Sequence, residues 1–147
     1  MYRRILVATD GSELSGKAVT HAFDLARAVG AKVTAFYAPL PFPMPVYGDA
    51  GLHEARAKQE YAAIAARDAE GVLAPVQRQA AEARVACDIL QAPSEAPWQA
   101  ILSAAHEVQA DVIVMASHGR RGVAALLLGS ETTKVLTHST IPVIVVR

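Results

Sequence analysis

Apolar residues follow two rhythms along this chain. One is the short unbroken run: R-I-L-V-A-T at Arg4–Thr9, V-I-V-M at Val112–Met115 and V-I-V-V at Val143–Val146. Runs of this length without polar alternation are expected of parallel strands buried on both faces. Val33–Ala38 and Arg84–Leu90 are flatter examples and are also read as strands. The second rhythm repeats every three to four residues. Ala18, Val19, Ala22, Phe23, Ala26 and Val29 form a helical stripe over residues 13–29, and Gly30 is suited to stop it. Trp98, Ile101, Leu102, Ala105 and Val108 form another over residues 95–108, with Ser94 as N-cap and Pro97 tolerated in the first turn. Trp98 on that stripe is read as core. Residues 50–81 are alanine-rich and helical, and Gly71 and Pro75 predict a kink or two abutting helices. A last helix, Ser130–His138, has Ser130 as its expected N-cap.

The order is therefore β-α-β-α-β-α-β-α-β. Such alternation predicts an α/β fold: one doubly wound, five-stranded parallel sheet with helices on both faces. Residues 39–49 break the rhythm, because prolines at alternate positions exclude a helix and a central strand. An extended loop is expected there. Its bulky Phe42, Met44 and Tyr47 pack on the domain surface, cover a ligand, or contact a partner.

At 147 residues, one domain over 1–147 is expected, long enough to bury a core. With 52% hydrophobic and 19% charged residues the composition is that of a compact globular chain. The formal net charge is zero, which argues against nucleic acid or an anionic membrane as the main partner. Cys87 is the only cysteine, so no intrachain disulfide and no cysteine metal cluster can form; it is read as a small buried hydrophobe. The first residues lack a signal-peptide core, and no apolar run approaches membrane-spanning length, so a cytoplasmic protein is expected.

Candidate chemistry lies in two loops. In open parallel sheets, ligands bind beyond the carboxyl ends of the strands where the strand order reverses. Thr9-Asp10-Gly11-Ser12 follows the first strand, and Ala116–Gly122 follows the fourth. The second loop carries Gly119 and Gly122, and Gly129-Ser130 then opens a helix, so strand, glycine-bearing loop and helix N-terminus come in order. Close-approaching backbone N–H groups and the positive end of a helix dipole suit phosphate. The bland reading is that these glycines only shape a turn and start a helix. Asp10 accepts from a ribose hydroxyl or an adenine amino group, helps to hold a metal near phosphates, or is simply a turn and cap residue. Arg120 and Arg121 either neutralise phosphate or are solvated. His118 is read as structural, and His21, His53, His106 and His138 lie on separate helices without ligand spacing. Neither G-x-x-x-x-G-K-[ST], G-x-G-x-x-G nor HExxH occurs. Ser117 in A-S-H-G lacks the glycines of a nucleophile elbow.

The residues I-L-V-A-T-D-G-S-E, D-V-I-V-M-A-S-H-G-R-R-G, L-L-L-G-S and I-P-V-I-V-V-R together resemble the universal stress proteins of the UspA-like superfamily, in its ATP-binding subgroup, over the whole length. That subgroup carries G-x2-G-x9-G-[ST]. In this register Ala116, Gly119, Gly129 and Ser130 occupy the four positions, and three of them match. A methyl group on Ala116 either crowds the ligand or does nothing if φ is negative there.

The resemblance implies a Rossmann-like sheet of order 3-2-1-4-5, of the adenine nucleotide alpha hydrolase kind, and a homodimer. It implies adenine and ribose near Asp10, Ala38 and Met115, and phosphates on Gly119, Gly129, Ser130 and Glu131, with Ser130 donating its hydroxyl while capping the helix. The candidate binding residues are Ala8, Thr9, Asp10, Ala38, Met115, Ala116, Gly119, Arg120, Gly122, Gly129, Ser130, Glu131 and Thr132. The implied ligand is ATP, with Mg2+ or Mn2+, held by a dimeric regulatory or stress-response factor with little or no turnover. A slow ATPase or a dimeric interaction module without nucleotide are the alternatives. An adenylyl-transfer enzyme of related fold would carry S-G-G-x-D-S where this chain reads T-D-G-S-E. Pairing of Val143–Val146 with its own copy would cover an apolar edge strand.

Overall fold

The computed structural model describes residues 1–41, 43, 52–120 and 128–147. Phe42, Met44 and Tyr47 of the proline-rich loop, and Arg121 and Gly122 after the fourth strand, lie outside the described residues.

Five strands, β1 (Arg4–Ala8), β2 (Lys32–Tyr37), β3 (Cys87–Gln91), β4 (Val112–Ala116) and β5 (Val143–Val146), form one sheet in the order β3-β2-β1-β4-β5. Every neighbouring pair is parallel, with Ile5 opposite Val33 on one side and opposite Val112 on the other. The order reverses at β1, whose neighbours are β2 and β4. This is the doubly wound fold expected from the alternation, with the order the resemblance implied.

The unbroken apolar runs of β1 and β4 are explained by burial on both faces, whereas β5, at the edge of the sheet, is only partly buried. Ile5 and Val7 of β1 and Val112, Val114 and Ala116 of β4 join one core, under helices α1 (Glu13–Val29) and α2 (Leu52–Ala83). Leu6, Ile113 and Met115 join the other, under α3 (Pro97–Glu107) and α4 (Ser130–His138). Phe23 and Phe36 anchor the two cores, each at most 2% exposed. Burying a side chain of that size contributes roughly 1.5–3 kcal/mol.

Helix α1 has the predicted bounds. Ser12 caps it by accepting from the Ser15 N–H (3.2 Å), and Gly30 ends it in the left-handed region at φ 71°. Helix α2 is a single helix that runs through both Gly71 and Pro75. Its inward stripe of Ala69, Val72, Leu73, Val76 and Ala80 continues across the proline, so packing holds together what propensity would interrupt. The carbonyl that a proline ring displaces lies four residues earlier, here at Gly71, where a Cβ would meet nothing within 4 Å.

Three expectations are corrected. β3 starts at Cys87, because Arg84, expected within the strand, has φ 56° and serves to turn the chain out of α2. Ser94 does not cap α3: the cap residue is Ala96, and Ser94 instead accepts from the Ala96 N–H (3.0 Å) in a local turn. Ser130 is the first residue of α4, and its N-cap is Gly129.

Candidate functional site

The two chemically equipped loops meet at the carboxyl edge of the sheet, because β1 and β4 are neighbours. The first is held mainly by its own atoms. The Thr9 hydroxyl lies 3.0 Å from that of Ser15 and accepts from the Gly11 N–H (3.3 Å). Gly11 turns the chain at φ 77°. Asp10 has its two oxygens on different partners. Oδ1 accepts from the Ser12 N–H in the turn (3.0 Å), and Oδ2 accepts from the Arg120 N–H of the β4 loop (2.7 Å). Burial raises the Asp10 carboxyl, but hydrogen bonds from Ser12, the Arg120 N–H and Ser15 outweigh it and hold the group below its ordinary value. Asp10 is thus a turn residue and the tie between the loops at once.

Gly119 sits against that carboxylate, where a Cβ would stand 2.4 Å from Asp10 Oδ2. No larger residue fits that approach without a shift. Ala116, at the motif's first position, is 7% exposed and packs into the α1/α2-side core, so its methyl group is taken up by packing. Beyond Ala116 the chain returns on itself: the Gly129 N–H donates to the Ser117 carbonyl (2.7 Å), and a Cβ on Gly129 would stand 3.3 Å from both that oxygen and His118 Cα. The Thr132 hydroxyl, buried, donates to the Ala116 carbonyl (3.0 Å) and fixes the first turn of α4 to the end of β4.

That first turn is electrostatically distinctive. Gly129 as N-cap has no side chain to accept from the N–H groups of Ser130, Glu131 and Thr132, and α4 has no side-chain cap bond among the described residues. Such donors, with the positive end of the helix dipole, suit an anion. Glu131 is directed elsewhere: Oε2 accepts from the Trp98 N–H at the start of α3 (2.8 Å), and Oε1 meets Lys134 Nζ at 3.1 Å. The carboxylate therefore caps α3 from outside, where Ala96 has no capping side chain.

The other predicted residues divide. Met115 is buried in the α3/α4-side core, and Ala8 and Ala38 pack partly buried against that same core. Thr9 is buried behind the first loop. The Arg120 guanidinium pairs with Asp68 of α2 at 3.8 Å. His118 is half-buried with Nδ1 3.2 Å from the Ser117 hydroxyl. Trp98 is half-buried against the α3/α4-side core, with its ring centroid 4.6 Å from that of His138. No group of three or more metal-ligating side chains occurs among the described residues.

Sequence reasoning missed Tyr37 and Asp68. The Tyr37 hydroxyl donates to Asp68 Oδ2, and Asp68 holds Arg120 with its other oxygen. No local signal was available: Asp68 is an exposed residue of α2, and Tyr37 lies 31 residues away in the chain.

Comparisons with known proteins bear on the family and the fold. The model of the family described as "Universal stress protein family" matches residues 1–147. A universal stress protein of Thermus aquaticus is 34% identical over 147 residues, spanning 100% of both chains. The solved structure of universal stress protein UspA from Lactobacillus plantarum superposes with a TM-score of 0.78 at 25% identity, covering 99% of this chain and 98% of that one. A universal stress protein solved in complex with cAMP superposes at a TM-score of 0.69 with 27% identity, covering 99% and 97%.

Proposed function

The chain belongs to the universal stress protein family, and we propose that it binds an adenine nucleotide, ATP foremost, at the carboxyl edge of the sheet between the β1 and β4 loops. The observation that carries this reading is the first turn of α4, capped by a glycine and lacking a side-chain acceptor among the described residues. The polyphosphate lies on the N–H groups of Ser130, Glu131 and Thr132, with Gly119 and Gly129 allowing close approach. Adenine and ribose lie toward Asp10, Ala8 and Ala38. Magnesium or manganese, where it takes part, arrives on the phosphates. A family member bound to an adenine nucleotide, cAMP, supports the ligand class.

The protein acts as a cytoplasmic regulatory or stress-response factor with little or no turnover. It is a single domain over residues 1–147 that pairs with its own copy through β5. Each β5 residue is only partly buried, and β5 lies at one end of the strand order. Gly129→Val tests the site. Calorimetric titration with Mg-ATP is expected to show one nucleotide per wild-type chain and at least a tenfold weaker affinity for the variant, with the variant's melting curve confirming that it folds. Equal binding by both proteins would move the triphosphate away from α4. No binding by the wild type at millimolar ATP would favour the interaction module.

A further inference from the structure

We propose that Asp68 is the resting anionic partner of Arg120, and that the competition between Asp68 and ligand phosphate for this guanidinium sets how strongly the site favours highly charged nucleotides. The inference rests on the nucleotide reading above and adds to the candidate residue Arg120 a partner, Asp68, that no motif in the sequence singles out.

Arg120 is held at two points. Its N–H donates to Asp10 Oδ2 at 2.7 Å, which anchors the residue at the meeting point of the two loops. From that anchor the guanidinium crosses Gly11, where a Cβ would stand 3.0 Å from Nη2, and ends 3.8 Å from Asp68 Oδ1. A larger residue at position 11 would obstruct this path. The pair is long and about half exposed on each side, 49% for Arg120 and 44% for Asp68. Exposed pairs of this kind contribute about 0–1 kcal/mol, so little is lost when the guanidinium leaves. Phosphate is the stronger partner, because it carries more charge and matches the guanidinium fork.

Asp68 is fixed independently of Arg120. Its Oδ2 accepts from the hydroxyl of Tyr37, a residue only 7% exposed on the central side of α2. Burial first, then the Asp68 carboxylate, push the Tyr37 phenol up to about 12, so it remains a proton donor at physiological pH. The carboxylate thus stays in place and partly satisfied after the cation has moved. Arg120 then alternates between a fixed protein anion and a ligand anion from one anchored backbone position. The cost of displacing Asp68 falls only on ligands that call on the guanidinium. Adenosine does not, and ATP does so most.

Asp68→Asn keeps the shape and an oxygen for Tyr37 but removes the charge. Wild type and variant are titrated with adenosine, AMP and ATP at low salt, and again in an Arg120→Gln background. Expected are an unchanged affinity for adenosine and a gain of about two- to fivefold for ATP, the size of one exposed ion pair. Expected also is loss of that gain when Arg120 is glutamine. An unchanged ATP affinity, an equal change for adenosine, or a gain that persists without Arg120 would each overturn the inference while leaving the nucleotide site intact. A wild type that binds none of the three ligands would overturn both.

Discussion

Helices α1 and α4 both begin at the carboxyl edge of the sheet, after neighbouring strands, and they begin in opposite ways. At α1 the N-cap is Ser12, whose hydroxyl accepts from the Ser15 N–H, while the Ser15 hydroxyl returns a bond to the Ser12 carbonyl (2.9 Å). One of the first-turn donors of that helix is satisfied by a side chain of its own chain. At α4 the N-cap is Gly129, which has no side chain to offer. Helix α3 makes the contrast sharper: it too lacks a capping side chain of its own, but the Glu131 carboxylate reaches across to the Trp98 N–H. Of three helix starts, two have a side-chain oxygen and one does not. A glycine in place of a capping side chain forgoes only about a few tenths of a kcal/mol, and the same omission leaves donors for a ligand. The start without a side-chain cap is also the one that carries Gly129 of the motif, and this coincidence is what supports the proposal that α4 is the anion-binding helix and α1 its scaffold.

The largest effect that would break this contrast comes from Gly119, where the scaffold loop meets the binding loop. Gly119→Ala puts a Cβ into the 2.4 Å approach to Asp10 Oδ2. It should cost about 1–3 kcal/mol in urea denaturation at neutral pH, as overpacking does. The same variant carries a pH signature. Asp10 is held below its ordinary value of 3.8, so its stabilising contribution is full above that pH and is lost as pH falls through the lower folded-state value. Gly119→Ala separates Asp10 from the Arg120 N–H, so its loss of stability on acidification should be smaller than that of the wild type.

A smaller effect sharpens the contrast from the other side. Ser12→Ala removes the cap of α1 and should cost about 1 kcal/mol in thermal or urea denaturation. Its affinity for ATP should stay within about twofold of the wild type, because the α1 cap is scaffold; this range is far below the tenfold step of about 1.4 kcal/mol. A loss of binding as large as that of Gly129→Val would mean that both helix starts take part.

How much of this was legible in the sequence depends on the range of the interaction. The bounds of α1 were readable because Ser12, the apolar stripe and Gly30 all act within one helix. The buried strands β1 and β4 were readable because unbroken apolar runs have few other uses. The bounds of α4, Ser130–His138, were readable, but its N-cap was not, since Gly129-Ser130 offers two adjacent cap residues and only the backbone decides between them. Residues 94–96 misled for a related reason: Ser94 is a good cap, but its hydroxyl closes a turn on the Ala96 N–H instead. Long-range pairs left no trace. Glu131 with Trp98 and Tyr37 with Asp68 are separated by 33 and 31 residues, and no periodicity or local motif links them. Of the two alternatives at Gly71 and Pro75, a kink or two abutting helices, α2 excludes the second, and the stripe that decides it is a matter of packing.

The central claim is that a nucleotide's phosphates lie on the first turn of α4 and leave the first turn of α1 alone. Amide hydrogen exchange, resolved to single residues with and without Mg-ATP, tests it directly. Slowed exchange at Ser130, Glu131 and Thr132, with Glu13, Leu14 and Ser15 unchanged, is the predicted result. Protection confined to Glu13–Ser15, or saturating ATP with no protection at the start of α4, would contradict it.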